Sequence, residues 1–225
     1  MLFLENGNGD TRILKSSNYG LLPDSTLIEK NVIDIKDVYK KLSKTLYFDN
    51  QCSLEFFEKE INIILSQISD NESTSNILNG LCFPFFLSRL EIEDIGEALE
   101  NIVIPSLEKI RLIDKTFSFV NKNKHDLEYR LTDTHGSRYD EFLEMHESQA
   151  LVGCFFPCLQ QFSIPACLEF LSHLPSNYIL SGAIDTTAAV LGSVEKLKLI
   201  SKPIKLWMSG ITSETSGTGF NLDLN

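Results

Sequence analysis

The stretch DTHGSRYDEFLEMHES, residues 133–148, concentrates Asp133, His135, Asp140, Glu144 and His146 in one short span. Imidazole and carboxylate groups are ligands for Mg²⁺, Mn²⁺ or Zn²⁺. A loop folded back to join Asp133, His135 and Asp140 or Glu144 would hold such a divalent metal with an activated water. That chemistry would make the chain a small metal-dependent hydrolase built on residues 133–147, with His135 and His146 as candidate catalytic groups.

The spacing speaks against this. A helix starting near Ser137 places Tyr139, Leu143, His146 and Ala150 on one face, with Asp140, Glu144 and Glu147 roughly opposite. A metal pair on a helix needs its ligands on one side. The neighbours of His146 at i±3 and i±4 are Phe142, Leu143, Gln149 and Ala150. The predicted arrangement is therefore a core-edge histidine with one hydrogen bond, beside a solvated acidic stripe. Asp133 or Ser137 would cap the helix.

Cys154 is a third candidate, as a nucleophile beside His146 or His173. Its neighbours Phe155 and Phe156 would raise the thiol pKa, and no cation flanks it, so buried packing is expected. Cys154 and Cys158 form a C-x3-C pair without a second pair of ligands, which is not the usual zinc spacing. The five cysteines, Cys52, Cys82, Cys154, Cys158 and Cys167, are odd in number and irregular in spacing. A reducing compartment is expected, the cytoplasm of a bacterium or of a host cell.

The segment SGITSETSGTGF, residues 209–220, is rich in glycine and hydroxyls, but no lysine follows its glycines, so it is not a phosphate loop. It reads as the start of a flexible tail over 212–225. Its small polar residues, ending in Leu222 and Leu224, resemble the C-terminal translocation signals of bacterial type IV effectors.

The elements that would carry these residues follow from composition and period. The chain has 225 residues, 43% hydrophobic and 23% charged, which suits a globular fold with its own core. Its formal charge of −11 repels phosphate backbones and disfavours nucleic acid. The lysines of KDVYKKLSK (36–44) form one solvated helical face. MLFLENGNGDTR lacks the basic start of a secretory signal. The uncharged run 148–168 is long enough to span a bilayer, but Gln149, Gln160, Gln161, Pro157 and Pro165 lie within it. Two short buried helices, broken near 160–165, are predicted instead, with no stable membrane span.

Residues 1–34 read as irregular, with a short strand within 26–35. Helices are predicted at 35–48, at 53–68 with Ser53 as N-cap, at 91–110 with a kink at Pro105, and at 164–174. A turn and then a helix follow over 174–200, with Gly182 and Gly192 as weak points. Residues 202–211 read as a strand. Residues 116–120 and 126–132 alternate as a hairpin would, although a continuing helix fits the same residues. CFPFFLSRLEI (82–92) echoes CFFPCLQQFSI (154–164), which suggests two pseudo-repeated helical units. The predicted fold is mainly α: a single helical domain over 35–211 with minor β.

The leading functional expectation is a non-enzymatic protein-interaction or regulatory protein, a bacterial effector in one version, that docks another protein or a second copy through apolar surface. Fifteen phenylalanines exceed what one small core needs. The alternatives are the hydrolase above and a carrier of a small apolar ligand, held in a cavity between helices around residues 81–87 and 151–171.

Overall fold

The computed structural model describes residues 1–15, 33–44, 52–113, 126–160, 162–198, 204–213 and 219–224. Helix exceeds strand, 49% to 14%, and the strands form two small sheets, so the fold is mixed α/β with helix prevailing.

Several helices arise where period and caps agree. α1 (Ile35–Leu42) starts where Asp34 accepts the Asp37 N–H at 3.1 Å, and it buries Val38 and Leu42. α2 (Leu54–Asp70) starts at Ser53, whose Oγ accepts the Phe56 N–H at 3.2 Å, and it buries Phe57, Ile61 and Ile68. The helix expected over 91–110 is divided as α3 (Ile95–Ala98), a wide π-turn (Leu99–Val103) and α4 (Ile104–Ile113). Pro105 has no N–H to continue the ladder. Immediately before it the Ile104 N–H reaches back to the Leu99 carbonyl, which widens the turn by one residue.

β1 (Phe83–Leu87) is buried along its whole length. It pairs antiparallel with β3 (Leu151–Phe155), with Phe83 opposite Phe155 and Leu87 opposite Leu151. Pro84 is tolerated because each strand of a two-stranded ribbon has one unpaired side. β3 overturns the first of the two helices expected over 148–168. An apolar run this short has no period to separate strand from helix, and a partner far away in sequence settles the matter. The second helix forms as α6 (Ile164–Leu171). The two echoing segments are not laid out alike: the strand of the first follows Cys82, whereas β3 ends at Phe155, one residue past Cys154.

The second sheet has the order β2 (Leu131–Asp133), β4 (Ile204–Ser213), β5 (Gly219–Leu224), all antiparallel. β2 pairs with β4, Leu131 opposite Ser213; the first half of the 116–132 hairpin expected from the sequence lies outside the described residues. The 212–225 segment, expected as a flexible tail, supplies the end of β4 and all of β5. The strand expected within 26–35 falls mostly outside the described residues, and α1 occupies Ile35 onward. Residues 1–15 lack regular strands apart from a Phe3–Gly9 bridge, but they are pinned: the Gly9 N–H donates to the Cys158 carbonyl at 3.0 Å and Phe3 packs on Phe170.

α7 (Ala183–Lys198) is the axis of the fold. It packs against α1, β1, β3, β4, α4 and the π-turn, and residues 183–194 are buried on all sides. A helix with neighbours all round must be apolar or small all round, which explains its run of alanine, valine and leucine. Its backbone breaks at Ser193, beside Gly192, where an added Cβ would lie 2.9 Å from Val38 Cγ1 of α1. The buried side chains fall into two clusters. One surrounds α7, β1 and β3; the other joins the N-terminal segment to α6, Ile68 and Ile77.

Candidate functional site

α5 (Tyr139–Ser148) carries the residues that drew attention in the sequence. It begins after Arg138, which has a left-handed backbone (φ 61°), and Ser137 Oγ accepts the Tyr139 N–H at 3.2 Å. Tyr139, Phe142 and His146 point inward and stack in series, with ring centroids 5.2 and 6.1 Å apart. His146 is 0% exposed, and its Nε2–H donates to the Ser88 carbonyl at 2.7 Å. Nδ1 of the same ring is buried with no hydrogen-bond partner among the described residues. Burial holds the His146 pKa below its ordinary value, against the opposing pull of the Ser88 bond. This ring is a neutral core group, as its phase on the helix predicts.

His135, Asp140, Glu144 and Glu147 are exposed, and Asp133 is half-buried in β2. Among the described residues no three His, Cys, Asp or Glu side chains come together as metal ligands. Asp133, His135, Asp140 and Glu144 are therefore not grouped as the hydrolase reading required. Cys154 lies on β3 opposite Pro84, and His173 is exposed beyond α6.

The feature with the shape of a site lies elsewhere. A cavity of about 350 Å³ opens where the two hydrophobic clusters meet. β3 and Phe85 of β1 form one wall, Ile64 and Ile68 of α2 a second, and Cys167 and Leu171 of α6 a third. Cys154 and Cys158 also line it. Burial pushes the Cys158 thiol up to about 12 and the Cys167 thiol up to about 11, so both stay protonated and act as apolar lining.

The remaining wall, residues 177–181 with Asp185 and Ser209, is the polar one. Ser209 Oγ lies 3.8 Å from Cys167 Sγ and donates to it. Asp185 is 3% exposed, in the first turn of α7. One of its carboxyl oxygens accepts the Gly182 N–H at 2.9 Å, as an acidic side chain does when it reaches back to the start of its own helix. The Thr186 N–H and the Tyr139 hydroxyl also face it and favour its charged form. Burial dominates all the same and pushes the Asp185 pKa up to about 7.

Two glycines make this wall possible. A Cβ on Gly182 would meet the Tyr139 ring at 2.1 Å, so only glycine lets that ring reach the start of α7. A Cβ on Gly210 would meet the Leu180 carbonyl at 2.3 Å. The Gly210 N–H instead donates to the Ser181 carbonyl at 2.8 Å, which ties β4 to the cavity wall. Arg138 holds the connector after α6. Its guanidinium donates to the carbonyls of Pro175 (2.6 Å), Tyr178 (2.9 Å), Leu171 (3.3 Å) and Leu174 (3.4 Å).

Sequence reasoning missed Asp185, reading 181–193 as a small-residue helix that allows close packing. A signal was present: Asp185 is the sole Asp, Glu, Lys or Arg between Glu169 and Glu195. A lone acid in an uncharged run has no solvated face to belong to.

No protein-family model matches the chain, and no curated protein and no solved structure matches it. Among the described residues, no helix is long and apolar enough to cross a membrane.

Proposed function

We propose that the chain binds a small, mainly apolar molecule in this cavity, as a carrier or a sensor and not as a catalyst. The observation that carries the reading is the cavity itself: about 350 Å³, walled mainly by apolar side chains, with a few polar groups, among them Asp185, Ser209, Gln67 and Gln160. Ligand pockets typically measure ~300–1,000 Å³ and share this division between an apolar wall and a few placed polar groups. Its position between two separately packed clusters lets it fill without either cluster repacking. The cavity joins the segments 81–87 and 151–171, as the carrier alternative expects.

The test is ligand-linked stability. 1-Octanol is expected to raise the melting temperature by a few degrees, because a ligand that binds only the native state stabilises it by mass action. Cys154→Phe, which pushes a ring into the cavity, should remove that rise. A wild-type melting temperature indifferent to octanol would end the proposal.

A second reading, docking of another protein, is supported by Phe56 and Ile63. They lie at i and i+7 on α2 and are 44% and 39% exposed. It ranks second because Phe56 is the one phenylalanine exposed among the described residues. Loss of partner capture on Phe56→Ser, with octanol binding intact, would favour this reading.

A further inference from the structure

We infer that the ligand is an amine: an ammonium group on a short apolar body, with its positive charge seated against the Asp185 carboxylate. This rests on the cavity reading above and adds the chemical class of the occupant.

Asp185 is the sole Asp, Glu, Lys, Arg or His among the described residues that line the cavity. The other titratable groups facing the space are Cys154 from β3, Cys158 from the turn after it, Cys167 from α6 and Tyr178 from the connector; none supplies positive charge. Tyr139, from α5, brings a neutral hydroxyl near the carboxyl. The Gly182 N–H thus orients the carboxylate, and among the described residues that line the cavity no cation neutralises it. An unpaired charge is among the most costly things a protein interior can hold, and an ion pair in a low-dielectric site is correspondingly strong. The group that best completes this wall is a cation that brings its own apolar surface. A carboxylate ligand would meet like charge, and an alcohol would gain one neutral hydrogen bond.

The elevated Asp185 pKa accords with the same assignment, because burial rather than any charged neighbour dominates it. It also sets a proton balance. Below about pH 7 the carboxyl is largely protonated. Seating an ammonium ion then expels the carboxyl proton to solvent, one proton per ligand, and the affinity falls as pH falls.

Isothermal titration calorimetry at pH 7.5 and about 150 mM salt, a concentration that screens the acidic surface, provides the test. The probes are octylamine, 1-octanol and octanoate, which share one chain length. Octylamine is expected to bind about tenfold tighter than octanol or better, with octanoate weakest. Asp185→Asn should bring octylamine to the octanol level and leave octanol unchanged. In wild type, lowering the pH to 5.5 should weaken octylamine alone. The heat should then differ between two buffers of unlike ionisation enthalpy, as proton release requires. Octanol equal to octylamine, or octylamine indifferent to Asp185→Asn, would overturn the amine assignment and leave the cavity reading standing. If none of the three probes binds, both fall.

Discussion

The acidic stretch on α5 and the start of α7 hold the same kinds of residue and treat them in opposite ways. On α5 the carboxylates of Asp140, Glu144 and Glu147 face water, and the one buried polar group, His146, is kept neutral. At the start of α7 a single carboxyl, Asp185, is taken inside and lines a cavity. The contrast teaches that crowded charge in a sequence marks a solvated face, because several ions cannot share a dry site without counter-charges. A solitary acid in an apolar run is the better pointer to a site. The two regions also touch: the Tyr139 ring of α5 fills the space left by Gly182, near Asp185.

That contact offers the sharpest break. Tyr139→Ala deletes a fully buried ring that joins the two regions. It is expected to destabilise by about 3–5 kcal/mol, measured by urea denaturation, as large aromatic truncations in cores do. A loss below about 1 kcal/mol, the ordinary level for point mutants, would mean that the regions are independent.

The next effect concerns pH. The Asp185 pKa is raised from 3.8 to about 7 on folding, so the native state favours its protonated form. Its contribution to stability is complete below about pH 4 and is lost as pH rises through about 7. Asp185→Asn keeps an acceptor for Gly182 but cannot ionise. Relative to wild type it should gain stability across that window, by a few kcal/mol at pH 8. Parallel stability curves for the two proteins would show that Asp185 is not buried as described.

The smallest effects separate the histidines. His146 has its pKa lowered from 6.5 by burial, so its contribution is present above about pH 6.5 and is lost as pH falls below it. His146→Ala should cost about 2 kcal/mol at pH 7.5, through a cavity and the lost bond to the Ser88 carbonyl, with a shallower acid limb. His135→Ala and Glu144→Gln, both on exposed positions, should change stability by no more than about 0.5 kcal/mol. If adding Mn²⁺ or Zn²⁺ raised the melting temperature of wild type but not of these two variants, the metal reading would return.

What the sequence discloses depends on how local the deciding interaction is. Ser53, Asp34 and the apolar periods of α1 and α2 act within one helix, and these elements form where they are expected. The inward turn of His146 is also a matter of phase along one helix. Phe142, rather than Leu143, supplies the more buried neighbour. β3 and the strand role of 219–224 depend on partners far away in sequence, Phe83–Leu87 and Ile204–Met208, which no local pattern names. The segments expected as helices flanking a cavity, 81–87 and the start of 151–171, pair instead as β1 and β3. The cavity's polar wall was not expected either, because that wall exists only where the Tyr139 ring, β4 and the start of α7 converge on two glycines.

The four carbonyls gathered by Arg138 come from the end of α6 and the connector that follows, and one side chain on the first residue before α5 holds them all. The same connector is clasped a second time by backbone bonds, Leu180 N–H to the Ser137 carbonyl and Gly210 N–H to the Ser181 carbonyl, so α5 and β4 grip this wall from two sides and a change in either element reaches it.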